Sequence, residues 1–271
     1  MLNQEQIDTF KDKGYLIVDK FIDADSIALL IHRAETLIDN FDLSSHTTVF
    51  STNEQERTSD DYFLGSADKV RFFFEQGSID SEGEFTVAKN KSINKIGHAQ
   101  HLLDPIYKKV IDGLALEAIG KQLGIVSPRA IQSMHIFKQP RIGGEVGLHQ
   151  DSTFLYTEPM SCIGFWLALE DASIENGCLQ AISGGHTYPL KKRFYMSKGE
   201  GMKFEILDDS EWQQELEILE VSAGTMIILH GQLPHYSAAN TSNKSRQAFS
   251  LHLVDANSYY PKDNWLQTDL I

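Results

Sequence analysis

The chain has 271 residues, 41% of them hydrophobic and 23% charged, enough to bury a sizeable core without disulfide staples. A formal net charge of −14 disfavours nucleic acid as a partner, and two cysteines, Cys162 and Cys178, are too few for a disulfide framework or a Cys-rich zinc site and read as reduced core thiols. The polar start MLNQEQIDTF lacks the apolar core of a signal peptide, and the longest apolar runs, such as Ile27 to Ile31, fall far short of the ~20 residues of a membrane span, so the chain reads as a soluble, cytoplasmic protein without membrane insertion.

Residues 3–13 read as a short helix stopped by Gly14, and YLIVDKFI (15–22) as a strand. Asp25 or Ser26 opens a second helix to about Phe41, with Ile27, Leu30, Ile31, Ala34, Leu37 and Ile38 at helical spacing. Residues 43–84 are polar and weakly patterned, which suggests an active-site loop. A third helix is expected over 105–123, ended by Gly124. Beyond residue 125 the pattern changes to short β-branched and aromatic runs: AIQSMHIF (130–137), CIGFWLALE (162–170), CLQAIS (178–183), ELEILEV (215–221), TMIILH (225–230) and QAFSLHLV (247–254). A second weakly patterned stretch, 184–214, again reads as a loop or lid. No regular helical spacers separate the runs, so a mainly β, antiparallel core with flanking α-helices is expected rather than a βαβ fold. One domain over 1–271 is expected, helical to about 125 and β from about 126 to 257.

Two stretches carry chemistry. His149 and Asp151 form an H-x-D pair behind GGEVG; on extended backbone residues i and i+2 share a face, so both could reach one metal. The tripeptide alone arises often by chance. The second stretch runs from the strand TMIILH through a Gly-Gln-Leu-Pro turn to His235, with Arg246 eleven residues later at the start of the next strand. An Arg opening a buried strand needs an anionic partner. Two imidazoles and a carboxylate make the facial triad of non-haem Fe(II) oxygenases, whose open positions suit a 2-oxo acid and O₂; Arg246 then suits the far carboxylate. His230 is the competing ligand, but it continues the apolar strand and lacks the eleven-residue spacing to Arg246, which favours His235.

The order H-x-D, then His about 85 residues on, then Arg resembles the phytanoyl-CoA dioxygenase family, and within it the branch of domain-containing proteins. NKIGHAQHLLDP (94–105), QSMHIFKQPRIGGEVGLHQDSTFLYTEP (132–159), ENGCLQAISGGH (175–186), SRQAFSLHLVDA (245–256) and DNWLQ (263–267) carry the likeness. It implies a double-stranded β-helix, the cupin-like jelly roll, with Fe(II) held by His149, Asp151 and His235. It implies 2-oxoglutarate contacts from Lys95, Met134, Trp166, Ser245 and Arg246. It also implies O₂ as oxidant, succinate and CO₂ as products, and a small-molecule or acyl substrate. Halogenating relatives of the fold replace the carboxylate ligand by a small residue; Asp151 is present, so hydroxylation is expected. The chain reads Ser183-Gly184-Gly185-His186 where the family often has P-G-S-H, which weakens any functional role for His186.

The remaining candidates read as structural. His252 shares strand parity with Ser250 and suits support of the site; His98 and His101 lie at helix-like spacing near Lys95; His135 points away from Met134 on a regular strand. Lys191, Lys192, Arg193 and Lys198 form a basic cluster that suits either coenzyme A phosphates or a solvated loop, and the solvated loop is preferred. Two other readings compete. A metal-dependent hydrolase or isomerase on the same barrel could use the triad for Zn²⁺ but leaves Arg246 and Lys95 without a task. A non-catalytic 2-oxoglutarate-binding protein would be free to lose a metal ligand, and none is lost.

Overall fold

In the computed structural model, residues 1–42, 49, 61–80 and 82–268 are described. Of the stretch 43–84 expected as a loop, residues 43–48, 50–60 and 81 lie outside the described residues, and the rest contains a short helix, Asp61–Leu64, and a strand, Val70–Phe74. The chain opens with helix α1 (Gln4–Lys13), where the Asn3 side chain accepts from the Gln6 amide and the Gln6 side chain accepts from that of Asn3. Gly14 ends it at φ 76°, a left-handed conformation that glycine adopts without strain. Strand β1 (Tyr15–Val18) follows, then α2 (Ala24–Asn40), whose cap is Asp23, two residues before Asp25 and three before Ser26, the caps expected. The short helix α3 (Asp61–Leu64), strands β2 (Val70–Phe74) and β3 (Ile93–His98) and helix α4 (Gln100–Leu103) lead to α5 (Pro105–Gly113), capped by Asp104. The single helix expected over 105–123 is two, because Ala115 takes φ 53° and restarts the chain as α6 (Leu116–Gln122).

Strands then dominate: β4 (Pro128–Lys138), β5 (Val146–His149), β6 (Ile163–Ala168), β7 (Leu179–Ala181), β8 (Lys192–Ser197), β9 (Gly201–Ile206), β10 (Glu217–Leu219), β11 (Met226–His230), β12 (His235–Ser237) and β13 (Arg246–Asp255). Among the described residues they pair antiparallel into a seven-stranded sheet, β1-β11-β6-β13-β4-β3-β2, and a four-stranded sheet, β10-β7-β12-β5. The two sheets form the jelly roll. The stretch read as a loop over 184–214 contains instead the β8-β9 hairpin.

Period-two alternation sorts the side chains of the large sheet. Phe165 and Leu167 of β6, Met226 and Ile228 of β11, and Phe249, Leu251 and Leu253 of β13 face outward and are buried under the helices with Leu30 and Tyr107. The alternate residues Trp166, Ala168, Ile227, Leu229 and Ala248 face inward and meet Leu179, Ala181 and Leu219 of the small sheet. Each buried Leu, Ile or Phe contributes about 1.5–3 kcal/mol by leaving water. The helices thus seal one face of the sheet, and the other face is left for a cavity between the sheets. Cys162 and Cys178 are buried free thiols, as expected. Among the described residues no helix is long and apolar enough to cross a membrane.

Candidate metal centre and the cavity beside it

Strands β5 and β12 are neighbours, and His149 and His235 are paired across them. Their rings lie 4.2 Å apart, centroid to centroid. Both rings are fixed the same way. Nδ1 of His149 lies 2.8 Å from the carbonyl of Gly147, and Nδ1 of His235 lies 3.0 Å from that of Leu233. A carbonyl only accepts, so each Nδ1 carries the proton and each Nε2 keeps a lone pair. These two Nε2 atoms lie 3.6 Å and 3.7 Å from Oδ1 of Asp151. Among the described residues, His149, Asp151 and His235 bring one ligand atom each to within 4.8 Å of one another.

Asp151 does not share an extended strand with His149, as the H-x-D reading expected. The strand ends at His149, and Asp151 opens a 3-10 turn, Asp151–Thr153. Gln150 between them turns away and is buried: its Nε2 donates to the Gln232 carbonyl at 2.8 Å and its Oε1 accepts from the Lys191 amide at 2.9 Å. That anchoring bends the chain so that a carboxylate from a turn meets an imidazole from a strand. Gly164 of β6 leaves room for it, since a Cβ there would sit 3.0 Å from Asp151 Oδ2. On the same oxygen, His252 of β13 donates from Nε2 to Oδ2 at 3.3 Å.

Burial opposes the charge on Asp151, but the imidazoles of His235 and His252 and contacts with His149 outweigh it and hold the carboxyl well below its ordinary range. Burial also pushes His235 down to about 4. At neutral pH the site offers an ionised carboxylate and a neutral imidazole, the states a divalent cation requires.

A cavity of about 160 Å³ runs between the sheets past this centre. Arg246 closes one end, 2% exposed. Its Nη2 donates to the Gly177 carbonyl at 3.0 Å and to Ser237 Oγ at 3.1 Å, and its guanidinium carbon lies 5.3 Å from the centre of the Trp166 ring. Among the described residues, Nε and Nη1 are buried without a hydrogen-bond partner. Burial pulls its pKa down to about 10, which leaves it charged at neutral pH. A buried cation with two unsatisfied N–H groups is incomplete, and a carboxylate completes it with two parallel hydrogen bonds. Lys138, opposite Arg246 on β4, is held apart from the cavity's needs: its Nζ donates to the carbonyls of Gly144 at 2.7 Å and Ala238 at 2.5 Å. Burial, and then the nearby charge of Arg246, push it down to about 7.

The cavity also gathers Lys95, Met134 and Trp166. Lys95 is buried, its Nζ 5.3 Å from the Phe63 ring and 5.2 Å from the Phe73 ring. Ser245 does not join them. It lies outside the lining, because the residue precedes β13 and its hydroxyl donates to Glu170 Oε1 at 2.9 Å.

The other histidines divide cleanly. His230 packs beside Phe10 and His186 near α1, and its Nδ1 accepts from the Gln232 amide, so the histidine five residues before His235 is part of helix packing. His135 faces away from the cavity as expected, bridging the Tyr107 hydroxyl at 2.7 Å and Gln247 Oε1 at 3.0 Å. His98 lies on β3, so the helix-like spacing with His101 is not real; it lines the cavity against Ser66 Oγ at 2.7 Å. The basic cluster is not a solvated loop. Lys191 is bonded to Asp208 and Ser210, and Arg193 to Asp263, around the β8-β9 hairpin. The sequence reading passed over Gln150, Gln132 and Trp265. A signal for Gln132 existed, since it shares strand parity with Met134.

A family model described as "Phytanoyl-CoA dioxygenase (PhyH)" matches residues 10–248. A phytanoyl-CoA dioxygenase of Arabidopsis thaliana is 43% identical over 267 residues, 98% of this chain and 94% of the relative. Phytanoyl-CoA dioxygenase domain-containing protein 1 of Bos taurus is 41% identical over 276 residues, 98% of this chain and 95% of the relative. Among solved structures, the non-heme alpha ketoglutarate dependent carbocyclase SnoK from nogalamycin biosynthesis superposes with a TM-score of 0.67 at 19% identity, over 96% of this chain and 86% of that one. EctD from S. alaskensis, solved with 2-oxoglutarate and 5-hydroxyectoine, gives a TM-score of 0.65 at 17% identity, over 99% and 80%. At such identities the likeness to both structures is one of fold.

Proposed function

Because the chain belongs to the phytanoyl-CoA dioxygenase family, we propose that it is an Fe(II)- and 2-oxoglutarate-dependent dioxygenase that hydroxylates a small organic or acyl substrate. His149, Asp151 and His235 would hold Fe(II), which when bound would supply O₂ activation; in the overall reaction one oxygen atom would enter a substrate C–H bond as hydroxyl and the other succinate, with loss of CO₂ from 2-oxoglutarate.

The observation that carries this reading is the pair of unpartnered nitrogens on the buried Arg246, in the same cavity as the triad. A hydrolase that needs only a metal-bound water has no use for a buried cation on a cavity wall. A co-substrate dianion does: Arg246 would take its far carboxylate, with Lys95 as the second cation on the wall and Met134 and Trp166 as its sides. His149 and His235 would hold the metal through Nε2, and Asp151 would supply the single carboxylate. That carboxylate also separates hydroxylation from halogenation, which needs its position vacant. The apolar walls between the sheets would exclude bulk water and keep oxidation on the bound substrate.

The test is anaerobic reconstitution with Fe(II), followed by exposure to O₂ and 2-oxoglutarate. Succinate and CO₂ should form in equal amounts, slowly without a prime substrate. Metal-dependent hydrolysis of an ester or amide panel without O₂, and no succinate, would contradict the reading.

A further inference from the structure

Arg246 closes one end of the cavity with charge. The other end is lined by neutral groups near Lys95, whose Nζ lies 5.3 Å from the Phe63 ring, and two of the neutral groups make no side-chain hydrogen bond to the described residues. Gln132 of β4 lines the cavity and is 6% exposed, yet its carboxamide makes no hydrogen bond to the described residues. Trp265 lines the cavity at the same low exposure, and its indole N–H is buried without an acceptor. Their closeness follows from register. Trp265 packs edge-on against His98, whose strand partner is Ser133, the residue after Gln132. Gln132 is in turn paired with His252, which touches Asp151. The carboxamide therefore sits one strand from the proposed metal centre, on the side away from Arg246.

A carboxamide that opens onto a cavity without a protein partner leaves its donors and acceptor to water or a ligand, whereas a β-strand core position would ordinarily hold an apolar residue there. We infer that Gln132 and Trp265 form the recognition subsite for the prime substrate, and that it takes a neutral carboxamide or carbonyl group carried on a compact apolar body. Gln132 offers a donor and an acceptor, which match the two sides of a carboxamide, and Trp265 adds a donor only, which fixes a carbonyl oxygen. The body lies against rings: Trp265 stacks on Phe63 at 4.6 Å with 16° between planes. The inference rests on the dioxygenase reading, in which Arg246 and Lys95 are occupied by the co-substrate and supply no cation for the substrate.

Anaerobic protein loaded with Fe(II) is titrated by calorimetry with 2-oxoglutarate, then with benzamide, benzoate and ethylbenzene as probes. Benzamide should bind about tenfold tighter than either of the others, as expected for one to two buried hydrogen bonds. Gln132→Leu and Trp265→Phe, which remove polar groups with little change of volume, should each bring benzamide to within about threefold of ethylbenzene and leave 2-oxoglutarate affinity within about twofold. Unchanged 2-oxoglutarate affinity reports an intact fold and an intact co-substrate end. Benzamide binding no tighter than ethylbenzene, including no binding of any probe, overturns the subsite while the dioxygenase reading stands. Benzoate binding tighter than benzamide overturns the neutral class, and a variant that keeps the full preference overturns the assignment of that residue. A protein that binds no 2-oxoglutarate overturns the dioxygenase reading and the subsite with it.

Discussion

The two ends of the cavity are finished in opposite ways. At one, Arg246 is a buried cation held by a carbonyl and a hydroxyl, with Trp166 beside its face and two nitrogens unpaired. At the other, near Lys95, the Trp265 indole N–H has no acceptor among the described residues and the neutral carboxamide of Gln132 opens onto the cavity. Between them lies the His149–Asp151–His235 cluster. A buried charge demands a partner of fixed sign, whereas buried neutral donors and acceptors demand only a matching pattern. The charged end therefore suits a co-substrate common to many enzymes, and the neutral end suits a substrate that differs between them.

Removing the centre should have the largest effect, since both ends depend on it. His149→Ala or His235→Ala should lower Fe(II) affinity by more than about a hundredfold, read as metal content after dialysis, with folding followed by circular dichroism. Next comes the charged end. Arg246→Ala should weaken 2-oxoglutarate by at least about a hundredfold, because two charge-assisted hydrogen bonds are lost at about 1.5–3 kcal/mol each. Arg246→Lys keeps the charge and loses the fork, so a smaller loss, about tenfold, is expected; a loss equal to that of Arg246→Ala would mean that the fork, and not the charge, carries the binding there. A smaller effect separates the centre from its support. His252→Phe removes the 3.3 Å contact to Asp151 Oδ2 and should weaken metal binding by about tenfold, with 2-oxoglutarate affinity unchanged in the metal-saturated protein.

The smallest effect lies on the opposite face of β4, outside both ends. Burial lowers His135 to about 4, against about 6.5 in the unfolded chain. Between those values the unfolded state binds the extra proton, so stability rises with pH and is lost on acidification. From pH 7 to pH 5 this amounts to about 2 kcal/mol. Urea titration of metal-free protein at both pH values should show a difference that shrinks by about that much in His135→Phe; an unchanged difference would show that His135 does not carry it.

How much of this was legible in the sequence depended on length and periodicity. The helix end at Gly14 and the inward set of β6, β11 and β13 follow from capping and alternation, whereas the cap of α2 is Asp23 rather than Asp25 or Ser26. The break at Ala115 did not show, because nothing in Leu114–Leu116 forbids a continuous helix; packing imposes the left-handed residue. Strand β12 has three residues, too few for a pattern, so His235 was found through its distance from Arg246 and through family likeness, not through its strand. The family likeness also supplied Lys95, Met134 and Trp166, which do line the cavity, and Ser245, which does not. Asp151 lies beside His149 and His235, but on a 3-10 turn rather than an extended strand, because the turn depends on Gln150 reaching Gln232 and Lys191 far along the chain. Gln132 went unnoticed because a polar residue inside a strand pattern looks like an outward position until its parity is counted against Met134.

The central claim is that the triad and Arg246 act together on one co-substrate. The direct test is a single assay of Fe(II)-reconstituted protein and its Arg246→Ala and His235→Ala variants, following succinate against 2-oxoglutarate concentration under O₂. Turnover in the wild type, a curve shifted at least about a hundredfold to higher 2-oxoglutarate in Arg246→Ala, and no turnover in His235→Ala is the predicted result. An Arg246→Ala curve that overlays the wild type would contradict it.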